Sequence, residues 1–290
     1  MKKTLYSIAL ALALLLSACA KTEQPGDSVL VVEGWIENGA RPVVMVSESI
    51  GISSETVLDA KDIVDHLAKW AKVTISDGET TEILTGVADS RYFPPFIFTS
   101  KKMVGEVGKS YSLKVEYKDY VAEAQTTIPE PVPIDRVYVL SVKDSLAILK
   151  VGFTDPPLKG NNYKIFTRTK GKDTHFHPSA FTSLCDDVLD GYTEIQLFST
   201  QRLMDYIYWG NIHVGDELEI KLCSTDRSIY EYWNNFEVSL ASNMFNMFYE
   251  HDMSNGMKGA MGYWAGYGVD KVVNFTVHDP NEYLEPGTAQ

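Results

Sequence analysis

Most of this chain reads as short strands, brief apolar or alternating runs bounded by turn residues. Val29-Leu-Val-Val-Glu-Gly-Trp-Ile36 is apolar and β-branched, as in a strand with one or both faces buried. Asn38-Gly39 is a turn signal, and Val43-Val-Met-Val46 supplies the next strand. Val73-Thr-Ile-Ser76 and Glu82-Ile-Leu84 flank Asp77-Gly78 as a hairpin. Tyr111, Leu113, Val115 and Tyr117 alternate cleanly, and Lys118-Asp119 turns the chain into a strand over 121–127. Asp62 to Ala71 is the one helical hint in this half. Short strands with turns roughly every ten residues predict an immunoglobulin- or transthyretin-like β-sandwich over residues 28–130.

Pro129-Glu-Pro-Val-Pro133 interrupts the pattern. Three prolines stiffen the backbone and remove ladder donors, so a domain junction is expected there. Beyond it, over 134–290, strands are expected at 136–142, 146–154, 162–169, 193–198 and 216–223. Ile229, Tyr232, Trp233, Phe236, Leu240, Met244 and Met247 then recur at threes and fours, which predicts a helix over about 228–249. Ser228 and Glu231 have the spacing of a capping box. A glycine-rich stretch runs from Ser254 to Gly268, followed by a last strand, Val272–Val277. The expected fold class is therefore mainly β: an N-terminal sandwich and a β-rich C-terminal domain with one helical segment.

The first residues follow a different pattern. Lys2 and Lys3 precede an apolar run, Ile8 to Leu16, and Leu15-Leu-Ser-Ala-Cys19 closes it. A charged start, a short apolar core and small residues before a cut describe a secretory signal. The apolar run is about half the roughly 20 residues needed to cross a bilayer. A cysteine directly after the cut is what bacterial lipoprotein signal peptidase requires. Residues 1–18 are thus read as a removed signal peptide, Cys19 as the lipidated (palmitate-type) N-terminus and 19–27 as a polar tether. Ala20 after the lipid site disfavours inner-membrane retention, so the expected location is the outer membrane, lipid-anchored.

Charge narrows the partners. The 290 residues carry 26 basic and 39 acidic side chains, a formal net charge of −13. An acidic chain does not suit nucleic acid, and it leaves membrane attachment to the lipid. Of three cysteines, Cys185 and Cys223 remain after lipidation, and an oxidising compartment would permit a disulfide between them.

Candidate chemistry is sparse. In an extended His175-Phe176-His177 both imidazoles would share a face and grip one metal, with Cys185, Asp186, Asp187, His213 or His251 as further ligands. The alternative is a loop between strands. Asp186, Asp187 and Asp190-Gly191 offer oxygen ligands for calcium, or else form an aspartate-rich turn. Gly256, Gly259, Gly262, Gly266 and Gly268 lack the following Lys-Ser or Lys-Thr of a phosphate loop and suit close packing against backbone. Tyr206, Tyr208, Trp209, Tyr263, Trp264 and Tyr267 are candidate recognition aromatics, with core packing as the alternative. No nucleophile elbow or zinc-protease helix is present, and no cofactor is expected.

Several of these segments carry a resemblance. They are Val31-Val-Glu-Gly-Trp-Ile36, Gly108-Lys-Ser-Tyr-Ser-Leu-Lys-Val115, Phe153-Thr-Asp-Pro156 with Asn162-Tyr163, Asp187-Val-Leu-Asp-Gly191 and Gly259-Ala-Met-Gly-Tyr-Trp-Ala265. In this order, behind a lipidation signal, they resemble the Bacteroidota lipoproteins grouped as domain of unknown function 4249. Ala260 departs from the pattern, standing where a second glycine is usual. The resemblance implies an outer-membrane lipoprotein, often encoded beside a TonB-dependent receptor, and no assigned activity. The expected function is a non-catalytic accessory that binds a nutrient or caps a TonB-dependent transporter. A surface adhesin or assembly component is the alternative, and a glycan- or peptide-acting hydrolase the third.

Overall fold

The computed structural model describes residues 29–49, 64–187, 189, 191–197, 199–200, 209–210, 212–244 and 256–280. The signal peptide, Cys19 and the tether lie outside them. In chain order the strands are β1 (Leu30–Glu37), β2 (Val43–Glu48), β3 (Lys72–Ser76), β4 (Thr81–Ile83), β5 (Thr85–Ala88), β6 (Phe96–Thr99), β7 (Ser110–Tyr117) and β8 (Tyr120–Thr127). Then come β9 (Ile134–Lys143), β10 (Leu146–Thr154), β11 (Asn162–Thr169), β12 (His177–Pro178), β13 (Leu184–Cys185), β14 (Tyr192–Leu197), β15 (Ser199–Thr200), β16 (Trp209–Gly210) and β17 (Glu217–Thr225). Helix α1 (Arg227–Met244) precedes β18 (Met261–Val269) and β19 (Val273–Thr276). The molecule is mainly β, as the short strand-like runs between turns predict.

A ten-stranded sheet forms the spine, in the order β12-β11-β17-β18-β1-β2-β6-β5, with β13 on β11 and β19 on β17. Two smaller sheets pack against one side of it. The β4-β3-β7-β8 sheet faces the β1–β2 end, and Leu30, Val32, Ile36, Val44, Val73, Ile75, Leu113 and Val115 fill the space between. The β14-β10-β9 sheet faces the β11–β17 end, over Leu149, Val151, Phe153, Ile165, Ile220 and Leu222. The chain does not divide cleanly at the proline run. β18, from beyond it, pairs in parallel with β1, Val31 opposite Met261 through Glu37 opposite Tyr267, so both halves share one sheet.

β18 takes up the second half of the glycine-rich stretch, and the close packing expected of its glycines is seen there. Gly266 and Gly268 bring β18 down onto the backbone that leads from the end of β8 into the proline run. A Cβ on Gly266 would lie 2.6 Å from the Thr127 carbonyl oxygen, and one on Gly268 would collide with the Pro129 carbonyl. Gly262 also sits at φ +112°, against the Val32 carbonyl, a conformation few side chains tolerate.

α1 covers the opposite side of the spine. Ile229, Tyr232 and Trp233 pack on Phe166, Cys223, Tyr263, Ala265 and Tyr267. The cap is Asp226 rather than Ser228: its carboxylate accepts the Ile229 N–H at 3.0 Å and the Ser228 hydroxyl at 2.7 Å. A buried ion pair pins the helix, with Lys164 of β11 bonded to Glu237, which also accepts the Thr182 N–H at 3.1 Å. The helical hint at 62–71 leaves only Val64 and Asp65 helical among the described residues, and Leu67 bridges to Ser47 instead.

Candidate functional site

The best-formed exposed constellation grows from the helix-side face of the spine. In β1, Leu30, Val32 and Ile36 point into the first core, so the alternation turns Trp35 and Glu37 to the other side. Two loops close over that side. In the first, the Asp89 carboxylate accepts the Arg91 N–H at 3.0 Å and pairs with the Arg91 guanidinium at 2.6 Å, which sets Tyr92. In the second, Asp173 accepts the Thr169 N–H at 2.7 Å, and the Thr174 hydroxyl donates to the Arg91 carbonyl at 3.0 Å, joining the loops.

Four rings line up as a result. Trp35 lies 6.1 Å from Tyr92, Tyr92 stacks on His175 at 6.1 Å, and His175 meets His177 at 4.2 Å, measured between ring centres. All four are half-buried, so each keeps some open surface. Phe176 lies beneath two cations, with Lys221 4.5 Å and Arg168 4.8 Å from its ring centre. The charges balance locally: Arg168 pairs with Glu219 at 2.5 Å, and Lys221 pairs with Glu37. Burial pulls the His175 imidazole below its ordinary pKa. Burial does the same to His177, with His175 adding to the shift and Asp173 opposing it. Near pH 7 the site therefore presents neutral rings with polar edges above matched charges, an arrangement for stacking and hydrogen bonding.

The two histidines come together as their spacing predicts, but no group of three metal-ligating side chains converges among the described residues. His213 is elsewhere, bridged to Leu146 and 3.3 Å from the Ser145 hydroxyl, and position 251 lies outside the described residues. Two of the three aspartates are engaged, and position 190 lies outside the described residues. Asp186 is buried and accepts the Gly160 and Asn161 N–H groups at 2.5 and 3.1 Å, while Asp187 pairs with Arg227 at 2.7 Å. They line a polar cleft of about 540 Å³ with Lys159, Asn162 and Arg227. Gly191 does supply the positive φ of a turn, at +70°.

Two expectations need correction. Tyr263, Trp264 and Tyr267 form no recognition surface, because β18 is sandwiched between α1 and the β7–β8 sheet. Trp264 is 2% exposed and donates its indole N–H to the Tyr111 carbonyl at 2.9 Å. Tyr267 is buried with Trp233, whose indole donates to its hydroxyl at 2.9 Å. Tyr206 and Tyr208 lie outside the described residues, as does the Trp209 side chain. Cys185 and Cys223 are buried free thiols. Their strands flank β11 on opposite edges, Cys185 opposite Asn162 and Cys223 opposite Lys164. Two strand spacings, with a two-residue offset along β11, hold the Cα atoms more than about 9.6 Å apart, beyond disulfide reach. Sequence reasoning missed Trp35 and Tyr92. The parity of β1 is the signal that would have found Trp35. Nothing local marks Tyr92, which reaches the site through loop folding.

The profile described as Domain of unknown function (DUF4249) matches residues 20–271, so the chain belongs to that family. No curated protein matches it. Among solved structures, a chain titled "Cytokine receptor complex - Crystal form 1A" is 8% identical, covering 84% of this chain and 95% of that one, with a TM-score of 0.25. Another, titled "Cytokine receptor complex - Crystal form 2", is 8% identical, covering 68% of this chain and 92% of that one, with a TM-score of 0.26.

Proposed function

We propose that this DUF4249 protein is a non-catalytic binding protein, held at the outer membrane by acyl chains on Cys19. It serves a TonB-dependent β-barrel, either by capturing a nutrient for it or by capping it. The observation that carries the binding reading is the ladder Trp35–Tyr92–His175–His177, four partly buried rings brought from three separate segments. Partly exposed aromatic and imidazole rings over balanced charge suit recognition of a ligand or partner surface with apolar faces and polar edges. The lipidation signal ending at Cys19 supports the location, and anchoring beside the barrel would keep the local concentration of the ladder high.

Mild-detergent affinity purification of the acylated protein from its own membranes tests this reading. A large β-barrel recovered in near-equal amount is expected. The expectation includes its loss in a Cys19→Ala form and its weakening in a Tyr92→Ala, His175→Ala form. Recovery of the protein alone under several detergents would count against it. The adhesin or assembly reading draws support from β9, a 10-residue edge strand with Leu140 exposed, which could pair with another chain. Recovery of multimers without a barrel would favour that reading.

A further inference from the structure

The end of the molecule where the chain enters its first strand carries a surface of its own. Val29 precedes β1, and its carbonyl accepts the Ser49 N–H at 2.7 Å. The segment after it in space runs back along β2: the Glu48 N–H donates to the His66 carbonyl at 2.9 Å, and the Ala68 N–H to the Val46 carbonyl at 3.0 Å. The chain then crosses to the facing sheet, where Lys72 pairs with Glu116 at 2.8 Å. Trp70 sits in that crossing and is 92% exposed, whereas Trp233 and Trp264 are buried. The β7–β8 turn closes the same end, because Lys118 pairs with Glu48, the residue opposite Leu30. Lys118 lies 5.1 Å from the Tyr117 ring centre, and Val121 beside the turn is half exposed.

An indole this exposed gains nothing from the fold, and a tryptophan with its ring in apolar surroundings and its N–H in a polar layer is at home at a bilayer interface. Nine residues lie between Cys19 and Val29, so the ten steps from one to the other reach at most about 35 Å when extended. An acyl group on Cys19 would therefore hold this end within about 35 Å of the lipid, since the chain enters the fold here. Glu37, at the far end of β1, contacts Lys221 beneath the aromatic ladder, so the ladder lies away from that end.

We propose that the Val29 end is a seat on the bilayer, with Trp70 as its interfacial anchor and the Tyr117–Val121 turn as its rim. The inference rests on the lipidation of Cys19 only for its orientation. With a net charge of −13, the chain is held there by the amphipathic ring and not by general attraction to anionic lipid.

The test uses the full-length chain produced in a host that acylates lipoproteins, with its intact mass recorded. It is reconstituted into phosphatidylcholine–phosphatidylglycerol vesicles whose acyl chains are brominated near the headgroup. Wild type should show a blue-shifted tryptophan component quenched by bromine, and Trp70→Phe should lose it while staying folded. The Cys19→Ala chain at high vesicle concentration should show weaker quenching that still depends on Trp70. A missing acyl mass would overturn lipidation and leave the second arm to decide the seat. Equal quenching of wild type and Trp70→Phe, or none in either arm, would overturn the seat itself.

Discussion

Gly266 shows how a single residue sets the packing of the central strand. The space its missing Cβ leaves is taken by the Thr127 carbonyl oxygen, 2.6 Å from where that atom would stand. Gly266→Ala should therefore destabilise the protein by about 1–3 kcal/mol through overpacking, read as a lower urea midpoint with an unchanged m-value. The recurrence of these glycines at threes and fours was legible as close packing. Its geometry was not, because glycine is depleted from strands and the spacing hid the alternation that sends Tyr263 and Tyr267 one way and Trp264 the other. The histidine pair makes a prediction with a definite sign. Burial lowers both folded-state pKa values below the ordinary value of about 6.5. As pH falls through that value the unfolded chain takes up protons first, so stability declines until the folded-state values are reached. A His175→Gln, His177→Gln double variant should lose less stability over that interval, as measured by urea unfolding at a series of pH values.

Among the elements, α1 depends on one buried pair. Burial pulls the Lys164 ammonium below the ordinary lysine value while Glu237 pushes it back up. Removing one partner strands the other charge, so Lys164→Met should cost about 3–5 kcal/mol, and adding Glu237→Leu should recover much of that loss. A double-mutant cycle of unfolding free energies checks this. The helix itself was readable from its apolar stripe, and 228–249 agrees with Arg227–Met244 where residues are described. Several strands were also readable, β7 from its clean alternation and β1, β10 and β11 within a residue of the spans expected. β5 and β6 were not, since Thr85–Ala88 and Phe96–Thr99 are short and are paired by the hairpin they form rather than by their own pattern.

Over the whole molecule, the parallel pairing of β18 with β1 ties the halves together, a long-range contact that local pattern does not encode. Trp264 and Met257 belong to the first core, so a fragment of residues 28–130 lacks part of its own interior. Such a fragment should give broad, non-cooperative unfolding and rapid proteolysis where the full chain does not. The candidate site was half legible for the same reason: His175 and His177 are adjacent in sequence, but Trp35 and Tyr92 join them only through the fold. Taken together, the proposed roles place a lipid seat at the Val29 end and a partner-facing ladder away from it. Site-specific photocrosslinking in the native membrane tests that polarity most directly, with the crosslinker at position 175 in one strain and at position 70 in another. The account predicts an adduct with a TonB-dependent β-barrel from position 175 and lipid adducts from position 70. Barrel adducts from position 70 with none from position 175 would contradict it.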